Sequence, residues 1–437
     1  MITAVQIKNF KSIKSISENL PGFVVIVGPN GSGKSNFVGA LELFGEILRR
    51  GSTDPARELG WAQIIRRAKK PARAGLTLGV TVRLPLENFY LPQIKKGARS
   101  TEELDIQASI TLEGNLYGED VTIKSENLII TSSQSTLRIC SEEDLVEPGT
   151  DPILWSLFYM ERLRAAVWKT PDEARVGLKQ IYFQGRAKDN DEVDKSVLQI
   201  LNRIRFRGQL MKHIANQCEV RRIRLDSSAL RSDSGFKEPS SSLLGPSGEG
   251  LPAAVERLRG HGKSHNPAFV RVLNSLQKVF PKIEDVHAAR LQPGRLTLFF
   301  KEQGISEEFG QANVSDGVLH ALAMLVMLEG RPRTGGASIL VIEEPENAIH
   351  PWSVRTMVEQ AQKSRSSQVI ITTHSETVVN AVEDTKALFI TENRGIGGTT
   401  LTRALAKEKA LDSILVETGQ KLGDVWMDGT LGGVPTS

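Results

Sequence analysis

A chain of 437 residues, 40% hydrophobic and 24% charged, has the composition of an ordinary globular protein, and its length suggests two or three domains or one large head with an insertion. The net charge of +4 names no partner, and no run approaches the roughly 18 apolar residues of a membrane span. Cys140 and Cys218 lack metal-ligand spacing and the opening MITAVQIKNFKSIKSI lacks the apolar stretch of a signal peptide, which fits a reduced, cytoplasmic protein.

The hydrophobic pattern predicts strands at 2–8 and 22–28, the second built on FVVIV, a continuous apolar run typical of a buried parallel strand. A helix from about residue 34 to 49 follows, apolar at Phe37, Val38, Leu41, Phe44 and Leu48. Residues 74–86 and 104–139 alternate in the manner of antiparallel strands. From about 153 to 220 the pattern turns helical, with Trp155, Tyr159 and Trp168 at spacings suited to core or partner-facing positions. Residues 161–231 hold 16 Lys/Arg against 9 Asp/Glu, among them Arg203, Arg205, Arg207, Arg221, Arg222 and Arg224. That stretch is either a solvated face or a track for a phosphate backbone, so nucleic acid stays open as a partner.

The Ser-, Gly- and Pro-rich residues 232–250 read as a loop, and 252–259 and 267–279 as helices. Strand 296–300, the helix GVLHALAMLVML, strand 338–342, a helix near 352–364, strand 368–373, a helix near 376–382 and strand 387–391 then alternate. The tail from Gly419 shows no strong period. Alternation of this kind implies an α/β fold, its parallel sheet covered on both faces. The expected organisation is a first lobe at 1–150, a mainly helical insertion at 151–290 and a second lobe at 291–437.

Four motifs carry chemistry. Gly28-Pro29-Asn30-Gly31-Ser32-Gly33-Lys34-Ser35 matches the P-loop pattern in full, between a buried strand and a helix. Such a loop closes backbone N–H groups around phosphate oxygens, with Lys34 reaching the β- and γ-phosphates and the Ser35 hydroxyl binding Mg²⁺. Asn30, Gly31, Ser32, Gly33 and Asn36 belong to the same phosphate site. The apolar strand ILVI ends in Glu343 and Glu344. The first carboxylate can hold the Mg²⁺ shell, and the second can take a proton from a water attacking the γ-phosphate. Thr372-Thr373-His374 ends the next apolar strand, where the imidazole can meet the γ-phosphate. Ser315, Asp316 and Gly317 open a helix, either as a plain helix cap or as an anion site on a partner subunit.

The chain resembles an ABC-type ATPase of the RecF/OLD/SMC group in the opening IKNFKSI, GPNGSGKSNF, SDG, IEEPENAIHP and TTHS, about half the chain in all. The ending LGDVWMDGTLGGVP resembles that of compact PtuA-like ATPases of anti-phage defence operons. The resemblance implies a P-loop NTPase fold with an ABC-type head, using ATP and Mg²⁺. Glu343 would be the Walker B acid, Glu344 the catalytic base and His374 the γ-phosphate sensor. Ser315 and Gly317 would contact a nucleotide on the other protomer, with Asn347 facing the same interface of a homodimer or higher oligomer. Two departures stand out: Glu343 occupies a position where the wider superfamily has Asp, and no glutamine fits a Q-loop. Too little chain follows residue 391 for a nuclease domain of the OLD type, so a nuclease or other effector is expected on a separate chain. A RecF-like DNA repair ATPase and a nucleotide-gated scaffold with negligible turnover are the competing readings.

Overall fold

The computed structural model of the chain describes residues 1–66, 73–85, 103–115, 120–131, 136–140, 210, 213–235, 244–260, 266–330, 339–347, 349–364, 367–404 and 419–434. Trp155, Tyr159, Trp168, Arg203, Arg205 and Arg207 lie outside these residues. The chain divides into two compact units, one of residues 1–8 and 43–216, the other of 9–42 and 217–437.

The strands are β1 (Ile2–Phe10), β2 (Ile13–Asn19), β3 (Phe23–Val27), β4 (Arg73–Pro85), β5 (Glu103–Asn115), β6 (Val121–Thr131), β7 (Thr136–Cys140), β8 (Val220–Ile223), β9 (Ser234–Gly235), β10 (Ile283–Gln292), β11 (Arg295–Glu302), β12 (Phe309–Gly310), β13 (Ile339–Glu343), β14 (Gln368–Thr373), β15 (Leu388–Asn393) and β16 (Thr399–Arg403). The helices used below are α1 (Lys34–Arg50), α2 (Pro267–Val279), α3 (Asp316–Glu329), α4 (Pro351–Gln362), α5 (Glu376–Asn380) and α6 (Leu422–Met427).

In the first unit β4, β5, β6 and β7 form an antiparallel meander, and Val5 to Lys8 of β1 pair with Val80 to Thr77 of β4. Strict alternation dictates this: Leu76, Leu78, Val80, Val82 and Leu84 are buried on one face of β4, opposite Leu104, Ile106, Ile110 and Leu112 of β5. A one-residue slip of either strand would turn its own set to the opposite face.

The second unit is built on a mixed sheet in the order β2-β16-β15-β3-β14-β13-β8, parallel throughout except where β16 runs against β15. Its central strands FVVIV, ILVI and QVIITT are buried because helices cover a parallel sheet on both faces. Helix α3 is apolar all round, and Val318 to Leu328 are buried without a break beside α2 and α4. A smaller antiparallel sheet, β10-β11-β12 with β9 on β11, completes the unit.

The α/β fold with a large parallel-type sheet and an antiparallel lobe agrees with expectation. Two parts of the insertion expected to be mainly helical do not: 220–223 is a strand of the main sheet, and 283–292 is a strand that pairs in a hairpin with 295–302, where a strand was expected. VRRI reads with the basic stretch because its arginines mask the apolar run that marks a parallel strand. The short strands β2 and β16 are too polar for a periodic signal.

Candidate functional site

Four strand ends of the second unit meet around the P-loop. β3 feeds Gly28, whose N–H donates to Thr373 O of β14 at 3.4 Å. Gly33 has φ +108°, and a Cβ there would strike the Thr399 side chain; a Cβ at Gly28 would strike Thr391. Glycine is therefore required at both positions by space, and at Gly33 also by backbone conformation.

Two hydroxyl chains hold the loop from below. Asn36 Nδ2 donates to Ser12 Oγ (2.7 Å), Ser12 and Thr399 share a bond of 2.7 Å, and Thr399 Oγ1 donates to Ser32 O (2.9 Å). Since Thr399 spends its proton on Ser32 O, Ser12 must be the donor to Thr399. In the second chain Thr391 Oγ1 donates to Val27 O (3.2 Å), so the 2.7 Å bond between Ser32 and Thr391 runs from Ser32 Oγ. Asn393 Nδ2 adds a bond to Gly31 O at 3.2 Å. The side chains of Ser32 and Asn36, both expected at the phosphate site, are thus turned into the support of the loop. Nothing periodic in TEN or GGTT announces Thr391, Asn393 and Thr399, which sequence reasoning missed.

Lys34 is almost wholly buried, its Nζ donating to Gly28 O (2.6 Å) and Pro29 O (3.0 Å). Burial lowers its pKa, against the carboxylates of Glu344, Glu346 and Glu343, which raise it. Ser35 is exposed at the start of α1, and its Oγ donates to Glu343 Oε1 at 3.4 Å. Glu343 ends β13 with its side chain nearly buried, and its Oε1 also accepts from Arg222 Nη2 at 2.7 Å. Glu344 has φ +49°, unusual for a residue with a side chain, and is held there by its N–H donating to Thr372 O at 2.8 Å. The positive φ breaks the alternation of the strand, which would otherwise send consecutive side chains to opposite faces. Arg224 Nη2 (3.3 Å) and Asn347 Nδ2 (3.1 Å) both donate to Glu344 Oε2. The imidazole of His374, half exposed, lies with Nδ1 3.9 Å from Glu344 Oε1 and 3.5 Å from Glu346 Oε1. Glu346 accepts from Thr373 Oγ1 (2.7 Å) and the His374 N–H (3.3 Å), so it shapes the loop after β13.

Ser315 caps α3 through its backbone, with no side-chain capping bond. Arg231 gathers the approach to this helix: it donates to Gln311 O, Ala312 O, Val314 O and Asp316 Oδ1. These bonds, first from Arg231 and then from Ser227, hold the Asp316 carboxyl below its usual range. No hydrogen bond or ion pair among the described residues joins Ser315 or Gly317 to the P-loop of the same chain.

A cleft of about 950 Å³ flanks the P-loop on its β15 side, lined among others by Asn30, Gly31, Glu392, Arg394, Asp428 and Gly433. Glu343, Glu344 and His374 do not line it, so the carboxylates and this cleft lie on different flanks of the loop. The tail forms its far wall: Gly433 N–H donates to Glu392 Oε1 (2.8 Å), and α6 is anchored by Gly423 N–H on Asn380 Oδ1 of α5 (2.7 Å).

The geometry suits a phosphate-borne cation. Among the described residues no cluster of three or more His, Cys, Asp or Glu could form a protein cage for a metal. Mg²⁺ needs only one or two protein oxygens beside phosphate and water, and Ser35 Oγ with Glu343 Oε1 fits that requirement.

Two family models match the chain. Residues 1–147 match the "AAA ATPase domain" and residues 188–380 the model described as "AAA domain, putative AbiEii toxin, Type IV TA system". The chromosome partition protein Smc of Methanocaldococcus jannaschii is 60% identical over 38 residues, 8% of this chain and 3% of that protein's length. Similar solved structures include an SmcHead bound to the C-winged helix domain of ScpA (14% identity, TM-score 0.44, covering 92% of this chain and 97% of that one). They also include the Smc head domain with an extended coiled coil bound to the C-terminal domain of ScpA, derived from Pyrococcus furiosus (15%, 0.43, 96% and 99%), and the SMC head domain from Thermotoga maritima (12%, 0.40, 92% and 98%). At that level of likeness nothing about activity or partners transfers. Both family models are described as AAA domains, the one over residues 1–147 as an ATPase domain, so the coarse class of the chain is an AAA-type ATPase. No helix among the described residues is long and apolar enough to cross a membrane.

Proposed function

We propose that the protein binds ATP with Mg²⁺, hydrolyses it, and uses ATP-dependent closure of two heads to control a separate effector chain in cytoplasmic anti-phage defence. The observation that carries the ATPase reading is the approach of Ser35 Oγ to Glu343 Oε1 beside a complete P-loop, with Glu344 next in the chain. The amides from Gly31 to Ser35 and the positive end of α1 receive the phosphates. Lys34, released from Gly28 O and Pro29 O, reaches the β- and γ-phosphates. Ser35 and Glu343 would hold Mg²⁺, which would supply neutralisation of charge on the phosphates. Glu344 takes a proton from a water as its oxygen attacks the γ-phosphorus, and the β-phosphate oxygen leaves with the bonding electrons on ADP. His374 donates to the γ-phosphate.

Ser315 and Gly317 open a helix N-terminus whose capping hydroxyl has no partner in its own helix. In a two-fold pair they would meet the γ-phosphate held by the other copy, making the interface isologous. The toxin-system description of the second family model supports an antiviral setting. The DNA repair reading is weakened because Arg222, Arg224 and Arg231, counted in the basic stretch, are paired with carboxylates.

Phosphate release and light scattering test this together. Lys34→Ala should abolish turnover and weaken nucleotide binding, and Glu344→Gln should accumulate a closed, ATP-loaded pair. Full turnover by folded Lys34→Ala overturns the ATPase reading. Identical mass and head spacing of Glu344→Gln with and without MgATP overturns the closure. Purification from the native operon with no accompanying chain overturns the effector.

A further inference from the structure

The edge strand β8 runs parallel to β13, with Arg222 opposite Val341 and Ile223 opposite Ile342. Arg222 within β8 and Arg224 just past its end both reach site carboxylates. Arg222 Nη2 meets Glu343 Oε1 at 2.7 Å, the same oxygen that Ser35 Oγ approaches. Its Nη1 lies 3.8 Å from Glu42 Oε2 of α1. Burial raises the Glu42 pKa, with Arg222 acting against it. Arg222 therefore bridges the P-loop helix and the acidic strand tip. Arg224 reaches past the end of β8 to Glu344 Oε2 at 3.3 Å, leaving Oε1 on the His374 side.

A glutamate at 343 carries one more rotatable bond than an aspartate would. Unless something fixes that bond, the carboxylate loses rotamer freedom each time it binds a cation. Glu344 likewise sits on a backbone twist that does not by itself choose a rotamer. We propose that Arg222 and Arg224 are positioning residues of the nucleotide site: Arg222 fixes the Glu343 carboxylate toward Ser35 for Mg²⁺, and Arg224 fixes Glu344 with one oxygen free for water. The inference rests on the ATP-site reading above and adds the strand that orients it. A carboxylate oxygen has two lone-pair directions, so Glu343 can keep Arg222 while it serves the metal. Outer partners of metal ligands act in this way, and losing one typically weakens metal binding about 10–100-fold.

The test uses the full chain and a fluorescent ADP, titrated with and without Mg²⁺. Arg222→Gln should leave metal-free ADP binding within about twofold and raise the Mg²⁺ concentration for half-effect by about tenfold or more, with Arg222→Lys between it and wild type. Arg224→Gln should lower kcat by about tenfold or more with KM within about twofold, because misplacing a catalytic group costs turnover rather than ground-state binding. A Mg²⁺ dependence of Arg222→Gln that is unchanged overturns the proposal. So does one that tightens, which would make Arg222 a competitor of the metal. An unchanged kcat of Arg224→Gln overturns its second half. If Arg222→Gln does not fold, Arg222→Lys carries the same comparison. Failure of the wild-type chain to bind ADP in any condition overturns the nucleotide-site reading itself, a result distinct from all of these.

Discussion

Thr391→Val removes one oxygen from beneath the P-loop and replaces it with a methyl of similar size. The Thr391 hydroxyl accepts from Ser32 Oγ at 2.7 Å and donates to Val27 O at 3.2 Å. Ser32 is 2% exposed, so its hydroxyl has no route to water once that acceptor is gone. A buried donor left without a partner costs about 1–3 kcal/mol, and the isosteric valine opens no cavity to add to it. The double variant Thr391→Val/Ser32→Ala takes away both members of the bond, and its cost should fall to about 1 kcal/mol or less, since removing both partners is close to neutral. The two substitutions should therefore be coupled by about 1 kcal/mol or more in a double-mutant cycle. Urea unfolding followed by tryptophan fluorescence measures it, read as a change of midpoint at constant slope. A Thr391→Val protein within about 0.3 kcal/mol of wild type, or a double variant costing the sum of the singles, would refute the hydroxyl chain as the support of the loop.

Two further expectations follow from titratable groups. Cys218 is 1% exposed and burial pushes its thiol pKa up to about 12. In a Cys140→Ser background it should therefore resist a thiol-exchange reagent at pH 8 in the native protein, roughly a thousandfold or more slower than in urea. A comparable native rate would show that it is not enclosed. Asp316 has its folded pKa below the ordinary aspartate value of 3.8, so its bond to Arg231 stabilises the native state above that pH and is lost as pH falls through the folded value. The stability gap between wild type and Asp316→Asn should thus be present at pH 7 and shrink below pH 3.8, and Arg231→Gln should move the Asp316 titration upward in a carboxyl NMR experiment. A gap that is flat with pH would show that Arg231 is not the cause.

How legible the sequence was depended on how locally each feature is specified. The P-loop, the acidic end of ILVI and the TTH strand end are contiguous words, each preceded by an apolar run that fixes its place in a parallel sheet. The antiparallel lobe was readable because period-two alternation extends over the 13 residues of both β4 and β5. β8 was not, because an edge strand four residues long with arginines at Arg221 and Arg222 has neither run nor alternation. Arg222, with Arg224 and Arg231, reads as surface charge in the sequence, yet the carboxylates these three hydrogen-bond lie 85 to 121 positions away. No window of sequence holds both members of such pairs. The same distance hid the hydroxyls under the P-loop: Thr391 and Thr399 look like ordinary strand threonines until Ser32 is beside them.

That separation also bears on the order in which the protein is made. Ser32 and Thr399 are 367 residues apart, and ribosomes add about 5–20 residues per second, so roughly 20–70 s pass between the synthesis of the P-loop and that of its last support. During that interval β3 lacks both of its neighbours in the finished sheet, β14 and β15. FVVIV is an apolar segment whose backbone groups must wait for partners, and such an edge is prone to pair with other chains. A nucleotide cannot rescue the nascent protein in this period, because the cradle it would stabilise does not yet exist. Protection of the growing chain must come from holding that segment apart until β14, β15 and β16 have emerged.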